Sequence, residues 1–449
     1  MAYQTTSSDR AGAGTERTDA VRALGQRLAR TERLSPAELD AYRAPLLSKL
    51  LAHARLHTEF YKRRIDFDIS SPDNLGKLWS TIPIFTRAEA VANQDALMSA
   101  RTPHEVGAVK DGRTSGSTGM PLRYRTTDAH EIANVALTER MFRWWRVDGK
   151  KTFAQISQPP SQEPPSPRGL TSKGWHSARP NGGFNHFLSH SFDVDAQLEW
   201  LLARKPAYLA SFSGIVRELA ATAKRRGVPL KLELIFSGAA PVDAETRDLC
   251  RSVFGAEIAD TYGAQETGHI AAQCPDCGEY HASADTSVVE ILRDDGAPAA
   301  PGETGRVVVT PLYGYAMPLI RYELGDFAEV GTADPKCDRK LPTLRRIMGR
   351  YRNLFRFRDG TRIWPVATLF RLPDYVALKQ FQIVQTDFDH IEVKYVPDGV
   401  PGAVDLAALT QRVRTVLNQP VDVTLRAVDK IERTATGKYE DCVSLVPPD

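Results

Sequence analysis

No apolar run in these 449 residues reaches the ~18 needed to cross a bilayer as a helix, so a membrane-spanning chain is not expected. Cysteine is scarce. The five residues, Cys250, Cys274, Cys277, Cys337 and Cys442, are an odd number, which argues against a disulfide framework, and a chain this long needs no such staples. Neither sign of charge dominates: 58 Lys+Arg against 55 Asp+Glu leave +3, without the strongly basic balance of a dedicated nucleic-acid binder. The first twenty residues are polar and lack an apolar signal core, so a cytoplasmic location is expected and residues 1–35 read as a loose segment. What is present is an ordinary folded composition, with 42% hydrophobic and 25% charged residues, at a length that suits two or three domains, or one large and one small.

Hydrophobic periodicity divides the chain. Residues 36–64 read as helical, with Ser35 as N-cap, Pro36 at the first helical position, and Pro45 expected to kink or divide the segment. TFAQIS (152–157) reads as a strand. The stretch after it, five prolines between Pro159 and Pro167 and then glycines and histidines to His190, reads as a long irregular loop of the kind that lines sites. From 208 the pattern is clean: strand 208–211, helix 213–226 ended by Gly227, strand 232–237, helix 243–254 ended by Gly255, strand 257–262. That alternation predicts an α/β fold with a mostly parallel sheet flanked by helices, whose ligands sit beyond the carboxyl ends of the strands. SGAAP (237–241) and YGAQET (262–267) are the segments that follow those ends.

Residues 286–330 read as a β-rich subregion. Beyond 350, strands 381–387, 390–397 and 421–428 with a helix over 404–418 form a small α+β unit, so we expect a large N-terminal domain over 1–350 and a C-terminal domain over 351–449. The segment 339–358 holds eight Lys/Arg and no acid. It reads either as a solvated linker or as a patch that steers phosphate groups.

The stretch Thr114-Ser-Gly-Ser-Thr-Gly-Met-Pro121 has the chemistry of an anion cradle: glycines let backbone N–H groups turn inward and hydroxyls add donors. It lacks the Gly-Lys-Ser/Thr ending of a Walker motif. Taken with SGAAP (237–241), YGAQE (262–266), RYELGD (321–326), Gly349-Arg350 and ERTATGK (432–438), in that order and spacing, it resembles the adenylate-forming superfamily, and within it the phenylacetate–CoA ligase branch. LLAHARLHTEFYKRR (50–64) is similar to the N-terminal helices of that branch.

The resemblance implies a large adenylating domain, a small mobile C-terminal lid, and a two-step reaction. A carboxylic acid, aromatic in this branch, attacks the α-phosphorus of ATP to give an acyl-adenylate and pyrophosphate. Coenzyme A then takes the acyl group and AMP leaves. The implied nucleotide-contacting set is Ser115, Gly116, Ser117, Thr118, Gly119, Gly238, Ala239, Ala240, Pro241, Tyr262, Gly263, Gln265, Thr267, Asp326 and Arg350. Within it, 115–119 close over the β- and γ-phosphates, Tyr262 stacks on adenine, Asp326 accepts bonds from both ribose hydroxyls, and Arg350 helps hold ribose at the hinge. Glu266 binds Mg²⁺, and Lys438 bridges the attacking carboxylate and the α-phosphate. The sequence departs from the pattern at three places: Gln265 replaces a Ser or Thr, with Thr267 the nearby hydroxyl; Tyr351-Arg352-Asn353 replaces a pair of acids; and Glu432 replaces a proline.

Cys274-Pro-Asp-Cys277-Gly-Glu-Tyr-His281, with Cys337 some way on, has the donor types and spacing of a closed structural Zn²⁺ site, and a similar cluster occurs in some members of this branch. Its alternatives are a redox pair or free thiols. His176, His186 and His190 fall in the irregular loop, either as a donor or base toward a substrate or as solvated residues; Trp144 and Trp145 read as core or interface residues. The expected partner is a small carboxylic acid, with neither nucleic acid nor membrane, and the oligomeric state stays open, a homodimer among the options. Two rival readings remain: adenylation followed by a non-CoA acceptor, through amine ligation or nitrite-dependent diazotisation, and a catalytically silent homologue that binds a nucleotide or acyl group.

Overall fold

The computed structural model describes residues 11–447 apart from 66–77, 115–120, 160–165, 176–178, 180, 239, 351–352, 366, 400–404 and 432–439. The chain divides into two compact units, Met1–Val242 with Asp248–Ile347, and Asp243–Arg247 with Met348–Asp449.

Strands Tyr208–Phe212, Leu234–Gly238 and Glu257–Ala264 pair in parallel register. Between them run helices Ser213–Arg226 and Ala244–Phe254. Gly227 and Gly255 terminate these helices at φ +61° and +72°, the left-handed turn that glycine makes without a Cβ penalty. Strand Phe153–Ser157, buried at all five positions, joins the same parallel set. Its other neighbour is Phe184–Ser189. The chain therefore runs outward from 153–157 to 184–189, crosses back to 208–212, and continues the opposite way. Such a reversal leaves a crevice at the carboxyl ends of the two strands that flank it.

The sheet continues past Glu257–Ala264 through antiparallel strands Gly268–Gln273, Tyr280–Ala282 and Thr343–Arg350, then Tyr322–Val330, Thr304–Pro311 and Ser287–Leu292. Leu170–Lys173 closes its far edge, and thirteen described strands take part in all. The result is a mixed α/β sheet flanked by helices. The second unit holds a four-stranded sheet of Leu378–Asp387, His390–Pro397, Asp422–Ala427 and Cys442–Ser444. Helix Leu406–Leu417 covers it through Leu409, Val413 and Leu417, spaced four apart on one face.

Three expectations are corrected. First, residues 1–35 include helix Ala11–Thr31, whose Val21, Leu24 and Leu28 pack on Ala133, Ala136 and Leu137 of helix Asp128–Trp144. Second, the helix starting at Pro36 runs through Pro45 to His57, at the cost of the one ladder bond proline cannot donate. It ends at Thr58, which is extended and turns its hydroxyl to cap the next short helix at Tyr61. Third, the expected loop to His190 contains strands 170–173 and 184–189. Its Pro/Gly content is confined to the flanks, while FNHFLS finds pairing partners on both sides.

One buried side chain ties the 80–82 segment to the sheet. Arg321 sits at φ +53°, a costly backbone for a non-glycine residue. Its guanidinium donates to the carbonyls of Ser80 and Ile82 at 3.1 and 2.8 Å and pairs with Glu290 at 3.0 Å. Removing it leaves Glu290 largely buried without its partner. We expect Arg321→Met to lower the stability of the large unit by about 3–5 kcal/mol, read as the shift of its denaturant midpoint. A change under about 1 kcal/mol would contradict this role.

Candidate active site

The 257–264 and 268–273 strands form a hairpin whose three-residue turn is Gln265-Glu266-Thr267. Gly268 follows at φ +76°, as a three-residue hairpin loop requires. A Cβ there would lie 2.1 Å from Asn134 Oδ1, so glycine is needed for space as well. The turn leaves Gln265 exposed and buries Glu266 and Thr267, and the Thr267 hydroxyl has no hydrogen-bond partner among the described residues.

Glu266 is met from a distant part of the chain. Phe85–Thr86 pairs in parallel with Tyr322–Glu323, and Thr86 caps the helix that follows, with Glu89 completing a capping box. Arg87, the first residue of that helix, is thereby set beside Tyr322. Its Nη1 donates to Glu266 Oε1 at 2.7 Å and to the Tyr322 hydroxyl at 3.3 Å; its Nη2 donates to Thr114 Oγ1 at 2.6 Å. The Tyr322 hydroxyl donates to the same Glu266 oxygen at 3.1 Å. Burial opposes the charge on Arg87, but Glu266 and Tyr322 outweigh it and raise its pKa. Tyr124 faces the same carboxylate; burial first and that negative charge second push its hydroxyl up to about 12. Thr114 also accepts from Leu122 N–H at 2.9 Å and donates its own N–H to the Leu122 carbonyl at 2.9 Å, so the two ends of the Ser/Gly-rich segment are pinned together.

Tyr262, buried one strand-end away, donates its hydroxyl to Asp326 Oδ2 at 2.9 Å. Asp326 follows Gly325, which at φ +80° bends strand Tyr322–Val330. Gly238 ends the 234–238 strand; Ala240 is half-buried and Pro241 exposed beyond it, and Gly263 is half-buried. Arg350 closes the 343–350 strand and belongs to the second unit. Ser115, Gly116, Ser117, Thr118, Gly119, Ala239, Lys438 and His176 lie outside the described residues. His186 is not a loop residue: it sits in the 184–189 strand and pairs with Thr171 Oγ1 at 2.8 Å. Trp144 and Trp145 are anchored as core residues, by Glu32 and by the Gln273 carbonyl. In the basic segment, Arg345 and Arg346 pair with the buried Glu329, so part of its charge is structural.

Thr114 opens the Ser/Gly-rich motif and Tyr322 falls within RYELGD, but the sequence assigns neither a role of its own, and Arg87 lies in no such motif. The T-x-x-E capping box at 86–89 locates a helix start, but nothing in it says that the arginine crosses to Glu266.

A second cluster lies at the far end of the 268–273 strand, on the order of 20 Å away at ~3.3 Å per residue. Cys274, Cys277, His281 and Cys337 bring four donor atoms within 4.8 Å of one another. Gly278, at φ +79°, makes the turn that carries His281 back, and its N–H donates to the Cys274 carbonyl at 3.0 Å. His281 Nε2 is 3.7 Å from Cys277 Sγ and 3.2 Å from Cys337 Sγ, and its Nδ1 lies 3.0 Å from the Leu341 carbonyl. A proton on Nδ1 satisfies that carbonyl and aims the bare Nε2 lone pair at the sulfurs. Arg339 adds a positive charge at 3.1 Å from Cys274 Sγ and is itself held by Asp276 at 2.6 Å. The donor set and its packing fit a tetrahedral Zn²⁺.

A family model described as the CapK C-terminal domain matches residues 362–444. No curated protein sequence matches the chain. Among solved structures, 2-hydroxyisobutyryl-CoA ligase in the postadenylation state, in complex with R3-HIB-AMP, superposes at TM-score 0.73 and 19% identity, covering 94% of this chain and 92% of the other. The anthranilate CoA ligase AuaEII with anthranoyl-AMP gives 0.55 and 14%, covering 73% and 65%. The amide bond synthetase McbA from Marinactinospora thermotolerans gives 0.51 and 19%, covering 73% and 66%. The chain has the fold of these adenylate-forming ligases. Among the described residues, no helix is long and apolar enough to cross a membrane.

Proposed function

We propose that this chain is an AMP-forming ligase that activates a carboxylic acid with ATP and passes the acyl group to coenzyme A. In the first step a carboxylate oxygen bonds to the α-phosphorus, the bond from that phosphorus to the bridging oxygen breaks, and pyrophosphate leaves. In the second the thiol sulfur bonds to the acyl carbon, its proton is released, and AMP leaves. The observation that carries this reading is the convergence of Tyr262–Asp326 and Arg87–Glu266–Tyr322–Thr114 from four separate segments, in a fold used by adenylating ligases.

Tyr262 offers its ring to adenine, and the bond to its hydroxyl holds the Asp326 carboxylate for ribose hydroxyls. Glu266 is the hard oxygen donor for Mg²⁺, which takes one or two protein carboxylates and completes its shell with phosphate and water. Among the described residues, both protein bonds to Glu266 fall on Oε1, which fixes the carboxylate's direction. Bound there, the ion would offset charge on the phosphates. Arg87, with Thr114 in its grip, ties the entry of the 115–119 segment to that carboxylate. Lys438 supplies the cation of the C-terminal domain, 351–449, acting as a lid. Cys274, Cys277, His281 and Cys337 hold one structural Zn²⁺. Transfer to an amine is the second reading, favoured by the likeness to an amide bond synthetase.

Asp326→Ala tests the nucleotide assignment. A charge-assisted hydrogen bond contributes about 1.5–3 kcal/mol, so ATP affinity is expected to fall roughly 10- to 150-fold by calorimetry. Unaltered affinity removes Asp326 from the site.

A further inference from the structure

The crevice between the 153–157 and 208–212 strands, where the chain reverses its direction across the sheet, contains a cavity of about 20 Å³. That is room for one water-sized group. An acyl pocket built for a plain hydrocarbon would be lined by apolar side chains. Here Ala210, Phe212 and Phe236 share the walls with five buried polar residues, Gln155, Ser157, Ser211, Ser237 and Thr261, from four parallel strands.

The hydroxyls are committed unequally. Ser211 Oγ donates to the Ile156 carbonyl at 2.9 Å, and Thr261 Oγ1 donates to the Ser237 carbonyl at 3.1 Å. Each has spent its proton on the backbone and faces the cavity as an acceptor. Ser237, 3% exposed, has no partner for its Oγ among the described residues. An unpaired buried hydroxyl is costly unless something fills the role. Beside Ser157, two acceptors and one uncommitted hydroxyl around a water-sized space call for a group that donates as well as accepts.

On the reading that the chain adenylates carboxylic acids, we infer that its substrate is an acid whose skeleton bears a hydroxyl or amino group, and that Ser237 is the residue that selects it. A methyl group of the same size fits the space but leaves Ser237 and its neighbours unpaired. Discrimination by a missing partner is much stronger than discrimination by size.

The test uses monocarboxylic acids of three to nine carbons in matched pairs, such as 2-hydroxyisobutyrate with pivalate and 4-hydroxy- or 4-aminobenzoate with 4-methylbenzoate. Two quantities are measured on the full chain: acid-dependent ATP–pyrophosphate exchange, and equilibrium binding of each acid by calorimetry with α,β-methylene-ATP present. In at least one pair the hydroxy or amino acid is expected to be favoured by about 100-fold or more in both. Ser237→Ala is expected to shrink that preference about tenfold, mostly through loss on the polar member. Equal use of the methyl isosteres, a preference unmoved in Ser237→Ala, or no binding by any polar acid of the panel overturns the inference. Exchange with the apolar acids alone overturns it while upholding adenylation. Preferential binding without any exchange upholds it and overturns adenylation.

Discussion

Glu266→Gln is expected to slow adenylate formation by about 10²–10³-fold at saturating acid, the scale of losing one preorganised electrostatic element at a reacting phosphate. Glutamine keeps an oxygen to accept from Arg87 and Tyr322 but gives up the charge. The side chains of Glu266 and Arg87 are only 4% and 14% exposed, so the guanidinium is left largely buried without its counter-ion. Breaking such a pair costs about 3–5 kcal/mol, so the rate must be taken per folded molecule. The Mg²⁺ dependence separates the two effects. If Glu266 ligates the ion, the variant needs a much higher Mg²⁺ concentration for half-maximal rate; if it only anchors Arg87, stability falls and the Mg²⁺ requirement stays. A rate within about fivefold of wild type would remove Glu266 from the chemistry altogether.

The second large effect concerns zinc. Purified under reducing, chelator-free conditions, the chain is expected to carry one equivalent, and Cys274→Ser to carry far less. Metal at this cluster ties the turn at 274–277 to the loop before the 343–350 strand, across some sixty residues, and its binding energy adds to folding. Losing several kcal/mol in a unit of this size lowers Tm by roughly 5–10 °C. Turnover per folded molecule is expected to hold, because the cluster is separated from Glu266 by the length of a strand. Zinc well below one equivalent in the wild type refutes the assignment. Abolished adenylation in a folded, zinc-loaded Cys277→Ser chain would make the site catalytic instead.

Much of the architecture was legible because local signals agree. The 208–264 region announces itself by strand-length apolar runs, helical periodicity and glycines that close each helix, and the second unit by alternating strands around one amphipathic helix. The misreadings have local causes too. Helix Ala11–Thr31 buries only a sparse row of apolar residues, and Val21, Leu24 and Leu28 are easily lost in a polar composition, though their spacing was there to be read. Strand 184–189 is hidden by its Pro/Gly-rich flanks, although an edge of the sheet was waiting for it.

At the site, the division follows sequence distance. The cysteines and histidine declare themselves because a metal turn imposes short spacing. Arg339 does not, since a second charge beside a thiolate can come from anywhere in the chain. Likewise Arg87 reaches Glu266 across 179 positions, and no periodicity or motif encodes that meeting; it follows from pairing two residues of strand with Tyr322–Glu323.

The central claim is adenylation, and ATP–pyrophosphate exchange tests it most directly because it requires no acceptor. The account predicts exchange that depends on Mg²⁺ and on an added carboxylic acid, proceeds without coenzyme A, and collapses in Glu266→Gln. Acid-independent exchange, or none with any acid in a protein that binds ATP normally, would contradict it.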